Sequence, residues 1–293
     1  IKAKMARKPL LSVAEHTSAE KFELLHTDVC GPMQTTTPSG KKYFMTMIED
    51  FSGYTKVYLL ARKDEVPEKI KQYVKSVQTK FGKTVKKIRS DRGGEYTGRE
   101  TQDFLKSEGI LFESTVPFTP SQNGRAERKN RSLVEMAKSM LIDSNLPKKY
   151  WGEALMTANH LQNRLPTNNK PKTPYEEWHG RKPSLHYVRR FGCTAFCHIP
   201  KERRQKLDDK ALKLKFVGYE EGTKGYRMLD TSNDKIRISR DVIFIEGDAH
   251  VVPETQIMQS TVPFASHTNL LRKDSEIDVL FEPDKKLQET IED

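Results

Sequence analysis

Three carboxylates stand where chemistry could use them. Asp28 follows a short, partly apolar stretch, Asp91 ends another, and Glu127 opens a long amphipathic segment, with thirty-five residues between the last two. If the two stretches are neighbouring strands and the amphipathic segment is a helix packed across their ends, the three side chains meet. Clustered carboxylates repel one another and call for a cation, and oxygen-only ligands select hard ions, Mg2+ or Mn2+. Two such ions about 3.5–4 Å apart can hold the attacking and leaving oxygens of a phosphodiester. No Ser–His–Asp set is apparent. The chain has 40 acidic residues, so the spacing alone does not separate a site from surface charge. A glutamate in the first turn of a helix is also favoured by the helix dipole alone.

The positioning elements are legible in the patterning. Residues 22–27, 43–48 and 55–60 are strand candidates, with Ser52-Gly53 as the turn between the second and third. Val66, Ile70, Val74, Val77 and Phe81 recur at helical spacing. Pro67 suits the start of that helix and Gly82 its end. Residues 85–90 form a fourth strand that delivers Asp91. Phe104 and Leu105 mark a short helix closed by Gly109, and 110–114 a fifth strand. A loop rich in Pro, Ser, Asn and Gly (115–124) precedes a long helix over 125–144, with Ala126, Leu133, Ala137 and Met140 on its apolar face. Helices follow over 151–164 and 174–179. Short strands at 193–199, 213–219, 226–229, 236–239 and 242–245 suggest a small β-barrel. A three-stranded meander followed by a parallel strand allows strands one and four to lie side by side, which brings Asp28 towards Asp91.

Composition narrows the partners. The 293 residues carry a net charge of +11 and a mean hydropathy of -0.74. Residues 250–293 hold nine acids against four bases, so the first 249 carry +16. A basic body of this kind suits a polyanion. No apolar run approaches the roughly 20 residues that span a membrane, and no secretory signal is evident. Cys30, Cys193 and Cys197 are too few for a disulfide framework. Cys193, Cys197 and His198 lack a partner pair for zinc, and the cysteines read as small buried strand residues. Ile1 is not a start residue, so a piece of a longer polypeptide is expected.

Around the carboxylates the sequence is specific. Ile88-Arg-Ser-Asp91-Arg-Gly-Gly-Glu-Tyr96 and Pro120-Ser-Gln-Asn-Gly124-Arg-Ala-Glu127-Arg-Lys-Asn-Arg131 resemble the core of copia-type (Pseudoviridae) LTR-retrotransposon integrases. His26-Thr-Asp28, Gly31-Pro32, Asp50-Phe-Ser-Gly-Tyr54, Tyr150-Trp-Gly-Glu-Ala154, Asn163-Arg-Leu-Pro166, Thr173-Pro-Tyr175 and Phe191-Gly-Cys193 continue the match, over about 20–247. The resemblance implies an α/β RNase H-like core followed by a small SH3-like β-barrel. Its domains would be a basic linker over 1–20, the catalytic core over 21–180, the SH3-like domain over 190–247 and an acidic tail or polyprotein linker over 248–293. It implies a DDE triad of Asp28, Asp91 and Glu127 holding two Mg2+ or Mn2+ ions, with Asp28 shared between them. The departures are Arg92 beside the second aspartate, Ser121 where Gln is common, Arg125 where a small apolar residue is common, and no His/Cys zinc module before the core.

The activity implied is a two-metal transesterification that joins the 3′ ends of element cDNA to host target DNA, in a homo-oligomer, with no membrane partner. The nucleus is the expected compartment at integration and a cytoplasmic particle before it. Gln122, Asn123, Arg128, Lys129 and Arg131 are the candidate DNA contacts. Arg131 lies one turn from Glu127 on the same face, Arg128 and Lys129 could equally be a solvated face, and Asn123 could equally be a helix cap. Lys201, Arg203, Arg204, Lys206, Lys210, Lys213 and Lys215 offer a second basic surface or a charged edge. Two other readings stay open: an RNase H-fold nuclease that cuts without joining, and a silent or host-adopted copy that binds DNA or assembles.

Overall fold

In the computed structural model, residues 18–114, 124–167 and 170–247 are described. The expected acidic tail, the 115–123 loop with Gln122 and Asn123, and most of the basic linker fall outside them. A first sheet is built from β1 (Leu25–Cys30), β2 (Tyr43–Glu49), β3 (Thr55–Leu60), β4 (Lys87–Ser90) and β5 (Leu111–Ser114), in the order β3-β2-β1-β4-β5. The meander β1–β3 is antiparallel, and β4 and β5 add in parallel.

Both faces of this sheet are covered, which is why β2 is buried almost throughout. Side chains alternate across a strand, so Met45 and Met47 enter one core while Phe44 enters the other. On the first face α1 (Val66–Phe81) packs Val66, Ile70, Val74 and Val77 against Leu25 and Ile88. Pro67 sits in its first turn, and Gly82, at φ 61, ends it with its N–H on the Gln78 carbonyl. The short helices α2 (Gly94–Thr97) and α3 (Arg99–Ser107) complete that layer with Tyr96 and Leu105. On the second face α4 (Gly124–Asp143) buries Ala126, Leu133, Ala137 and Leu141. Met140, expected on that apolar face, is only half-buried, because the face turns towards Leu141. Behind α4 lies α5 (Trp151–Gln162), and α6 (Pro174–His179) seals the first core with Trp178.

A second five-stranded sheet follows, made of β6 (Thr194–His198), β7 (Ala211–Tyr219), β8 (Tyr226–Asp230), β9 (Lys235–Ser239) and β10 (Val242–Ile245), in the order β10-β6-β7-β8-β9. Cys193 and Cys197 are buried in its core with Phe216 and Met228. This barrel is joined to α5 by apolar contact: Val217, Leu229 and Phe191 belong to the same cluster as Leu133, Ala154 and Leu155. Gly218 makes the approach possible, since a Cβ there would lie 2.7 Å from Thr157 Oγ1. That hydroxyl instead donates to the Val217 carbonyl at 2.9 Å. No helix among the described residues is long and apolar enough to cross a membrane.

His160 of α5 stacks on Tyr219 of β7 at 4.0 Å and meets the Tyr187 hydroxyl at 3.0 Å. Burial, helped by nearby Arg164, pushes its imidazole down to about 3. The unfolded chain takes up this proton near pH 6.5. Stability from keeping His160 neutral is therefore complete above about pH 6.5 and is lost as the pH falls towards the folded value. His160→Phe is expected to flatten the stability–pH curve below about pH 6.5, by at most about 1.4 kcal/mol per pH unit. Urea unfolding across that range measures it, and an unchanged slope would show that His160 is not kept neutral.

Candidate active site

The parallel pairing of β1 with β4 sets the site. Leu25 lies opposite Ile88 and His26 opposite Arg89, and the same register continued by two residues puts Asp28 opposite Asp91. Asp28 is not the residue after the strand, as expected from the sequence, but lies inside β1. The strand begins later, at Leu25, and β2 keeps pairing with it as far as Cys30–Phe44. The side-chain alternation that sends Thr27 to the Tyr96 hydroxyl, 3.1 Å away under the first face, turns Asp28 to the α4 face.

From α4, Glu127 projects from the first turn and Asn130 follows three residues later. The buried Asn130 amide donates to Asp28 Oδ2 at 2.8 Å, and its oxygen accepts from Thr46 Oγ1 at 2.9 Å. Thr46 is the cross-strand neighbour of Asp28. The helix is thus tied to the first carboxylate. Asp28 is pushed up to about 6, first by burial and then by the charge of Asp91, with the Asn130 bond opposing and Glu127 adding to the rise. The three carboxylates therefore share one electrostatic neighbourhood.

They do not form a closed cage. Among the described residues no group of three His, Cys, Asp or Glu side chains converges tightly enough to hold a metal ion. Asp91 and Glu127 are exposed, and Asp91 Oδ1 accepts from the Gly93 N–H at 3.0 Å. The donor set nonetheless fits a hard divalent ion. All donors are carboxylate oxygens, and the repulsion that raises Asp28 is what a cation would relieve.

The cations of α4 divide by role. Arg125 is not available to a ligand: its guanidinium pairs with Asp50 and donates to the Asp50 carbonyl at 2.9 Å. Asp50 also accepts from His26 at 2.9 Å, and these partners hold it well below the usual carboxylate range despite its burial. This pins the start of α4 to the β2–β3 turn. Lys129 is half-buried rather than part of a solvated face, and burial, with Arg125 nearby, pushes its amine down to about 8. Arg128 is exposed and lies along the helix start, 2.9 Å from where a Cβ on Gly124 would be. Arg131 is exposed. Gln122 and Asn123 lie outside the described residues. On the barrel, Lys201, Lys206, Lys210 and Lys213 are exposed, whereas Arg204 and Lys215 are half-buried.

Comparison with known proteins decides the family. Residues 18–120 match the integrase core domain, and 193–256 match the retroviral polymerase SH3-like domain. The chain is 42% identical over 247 residues to the retrovirus-related Pol polyprotein from transposon TNT 1-94 of Nicotiana tabacum, covering 83% of this chain and 19% of that one. It is 31% identical to the Pol polyprotein from transposon RE2 of Arabidopsis thaliana, over 78% of this chain and 16% of that one. The chain belongs to the copia-type retrotransposon integrases. It spans under a fifth of these relatives' length. Its α/β layers are the RNase H-like integrase core and its second sheet the SH3-like domain that follows. Among solved structures, the HTLV-2 integrase catalytic core domain in complex with magnesium aligns at TM-score 0.40 and 22% identity, over 53% of this chain and 95% of that one. The simian T-cell lymphotropic virus intasome aligns at TM-score 0.47 and 17% identity, over 76% and 78%.

Two residues of the site escape a reading of the sequence. Asn130 is one; it lies within the Pro120–Arg131 motif and is a polar residue on the apolar face of a helix, three positions after Glu127, but neither signal gives it a role. Lys63, between β3 and α1, is the other. It donates to Glu95 at 3.1 Å, and that bond, helped by the field of Asp91, raises its amine above the usual range. It puts a cation on the Asp91 side of the site. Residues that orient metal ligands typically contribute 10–100-fold in metal affinity. Asn130→Ala is accordingly expected to raise the Mg2+ needed for half-maximal activity by about that factor, and to lower stability by about 1–3 kcal/mol because Asp28 and Thr46 lose a buried partner. A metal titration unaltered by the substitution would remove Asn130 from the site.

Proposed function

We propose that the chain joins 3′-hydroxyl ends of element cDNA to host target DNA. Asp28, Asp91 and Glu127 would hold two Mg2+ or Mn2+ ions. Bound there, these ions supply acidification of the attacking hydroxyl and stabilisation of the leaving 3′ oxygen. The single observation that carries the reading is the β1–β4 register together with the Asn130–Asp28 bond, which gathers two strands and one helix at one carboxylate neighbourhood.

The chain's own groups do the rest. Asn130 fixes the orientation of Asp28. Arg131, exposed one turn beyond Glu127, would contact a DNA phosphate, whereas Lys63 is paired with Glu95 and would balance charge beside the site. Such contacts position DNA and carry little sequence information, so target choice is mostly sequence-blind. The working form would be a homo-oligomer acting in the nucleus.

The test is strand transfer of a labelled duplex carrying a 3′-hydroxyl in Mg2+ or Mn2+, with the chain compared against Glu127→Gln. Joining that disappears in the variant supports the proposal. Cutting without joining points to a nuclease. The absence of a closed metal cage among the described residues favours one other reading, a silent copy acting as a DNA-binding or assembly module. DNA binding with no metal-dependent product in either protein would select it.

A further inference from the structure

We infer that the surface around His179 is a second binding site for the phosphate backbone of duplex DNA, formed by Lys21, Lys80, Arg164 and Arg181. It lies at the end of the first sheet where β1 and β4 begin, since Lys86 bonds there to the Phe22 carbonyl at 2.8 Å. The catalytic carboxylates sit further along these strands, Asp28 inside β1 and Asp91 just past β4.

The aromatic core builds this surface. Trp178 of α6 stacks on Tyr54 at 4.6 Å and meets Phe22 at 5.3 Å and Phe81 at 5.0 Å. That packing brings the end of α6 to the end of α1 and to the segment before β1. Lys80 then lies 3.4 Å from His179 Nδ1, over the faces of Phe81 and Trp178. Arg164 sits over Tyr175 at 4.5 Å, and the Tyr175 and His179 rings are 4.2 Å apart. Lys21 adjoins Phe22, and Arg181 follows the turn after α6.

All four cations press on His179, which is driven down to about 4, first by burial and then by Lys80, Arg164, Arg181 and Lys21. The ring therefore stays neutral at physiological pH. Of the nearby acids, Glu20 and Glu23 pair with Lys86, Glu177 with Lys172, and Glu221 with Lys56 while its charge also reaches Lys80; among the described residues Glu176 makes no ion pair. Among the described residues none of the four cations has a carboxylate at ion-pair distance.

This much unneutralised charge is matched to a polyanion. The four groups come from four separate segments and spread over a surface, above the half-buried rings of Phe81 and Tyr175 and the buried Trp178. An acidic peptide needs side-chain anchors as well as charge. A DNA backbone, with one charge per roughly 1.7 Å of duplex axis, needs none.

The test is anisotropy of a labelled blunt duplex with the whole chain, in EDTA, compared with a Lys21→Gln/Lys80→Gln/Arg181→Gln variant whose melting temperature is checked first. Without divalent ions the result does not depend on the proposed chemistry, so the two ideas fail separately. Each phosphate contact gives a slope of about -0.9 in log affinity against log salt. Losing three should make the slope shallower by about 2.7 and shrink the affinity drop between about 50 and 200 mM salt by roughly 40-fold. An unchanged affinity and slope overturn the proposal. So does a labelled polyglutamate that binds the chain more tightly than the duplex and is lost in the same variant.

Discussion

Asp91→Asn is expected to abolish strand transfer while leaving the fold as stable as before, or slightly more so. The two effects have one cause. Asp91 adds to the repulsion that, with burial, holds Asp28 up at about 6, so removing its charge relieves the folded protein. The same charge is what makes the site attractive to a divalent ion, and a bound ion contributes several kcal/mol to phosphoryl transfer. Loss of a ligand should therefore lower joining by roughly a thousandfold or more. Joined product in Mg2+ and a thermal melt on the same preparation measure both arms. A variant that still joins DNA would remove Asp91 from the chemistry. A variant that melts well below the parent would mean that Asp91 is structural and that the activity loss says nothing about a metal.

Arg227→Met is expected to produce the largest loss of stability. Arg227 donates twice to Glu153 of α5, each at 2.8 Å, and once to Glu220 at 2.6 Å. These side chains are about a quarter exposed or less. Removing the guanidinium leaves two carboxylates together without a cation. A fully buried pair broken in this way costs about 3–5 kcal/mol. Partial solvation reduces that to about 2–3 kcal/mol here, or a melting temperature lower by about 5–10 °C. Glu153→Gln in the same background should recover part of the loss. Because Val217 and Leu229 share a cluster with α4 and α5, barrel and α/β layers should melt in one transition. An unchanged melting temperature would reduce the pair to a surface contact, and an early separate transition would make the barrel independent.

The carboxylates were legible in the sequence because each stands at the edge of a strongly patterned element and within a distinctive motif. Asp91 closes a short strand, Lys87–Ser90, that alternates half-buried Lys87 and Arg89 with buried Ile88 and Ser90, and Glu127 opens a helix whose Ala126, Leu133 and Ala137 face the core. The strand and helix periods were equally plain, since β2 and α1 bury long apolar runs. Less legible was where β1 begins. Residues 22–24 look like strand, but Phe22 takes a positive φ of 69 and packs under Trp178 instead. That choice depends on a residue more than 150 positions away.

The sequence by itself determined the family and the main strand and helix periods, and it nominated the three carboxylates. These rest on local periodicity and short motifs, which need no distant partner. Only the tertiary structure decided the rest: that Arg125 belongs to Asp50, that Asn130 holds Asp28, that Lys63 pairs with Glu95, and that four cations without an acid partner among the described residues gather around His179. Each of these pairs residues from separate segments. Whether a charged side chain is spent or free depends on which acid the fold brings within about 4 Å, a distance at which ion pairing becomes effective. Sequence order does not carry that information.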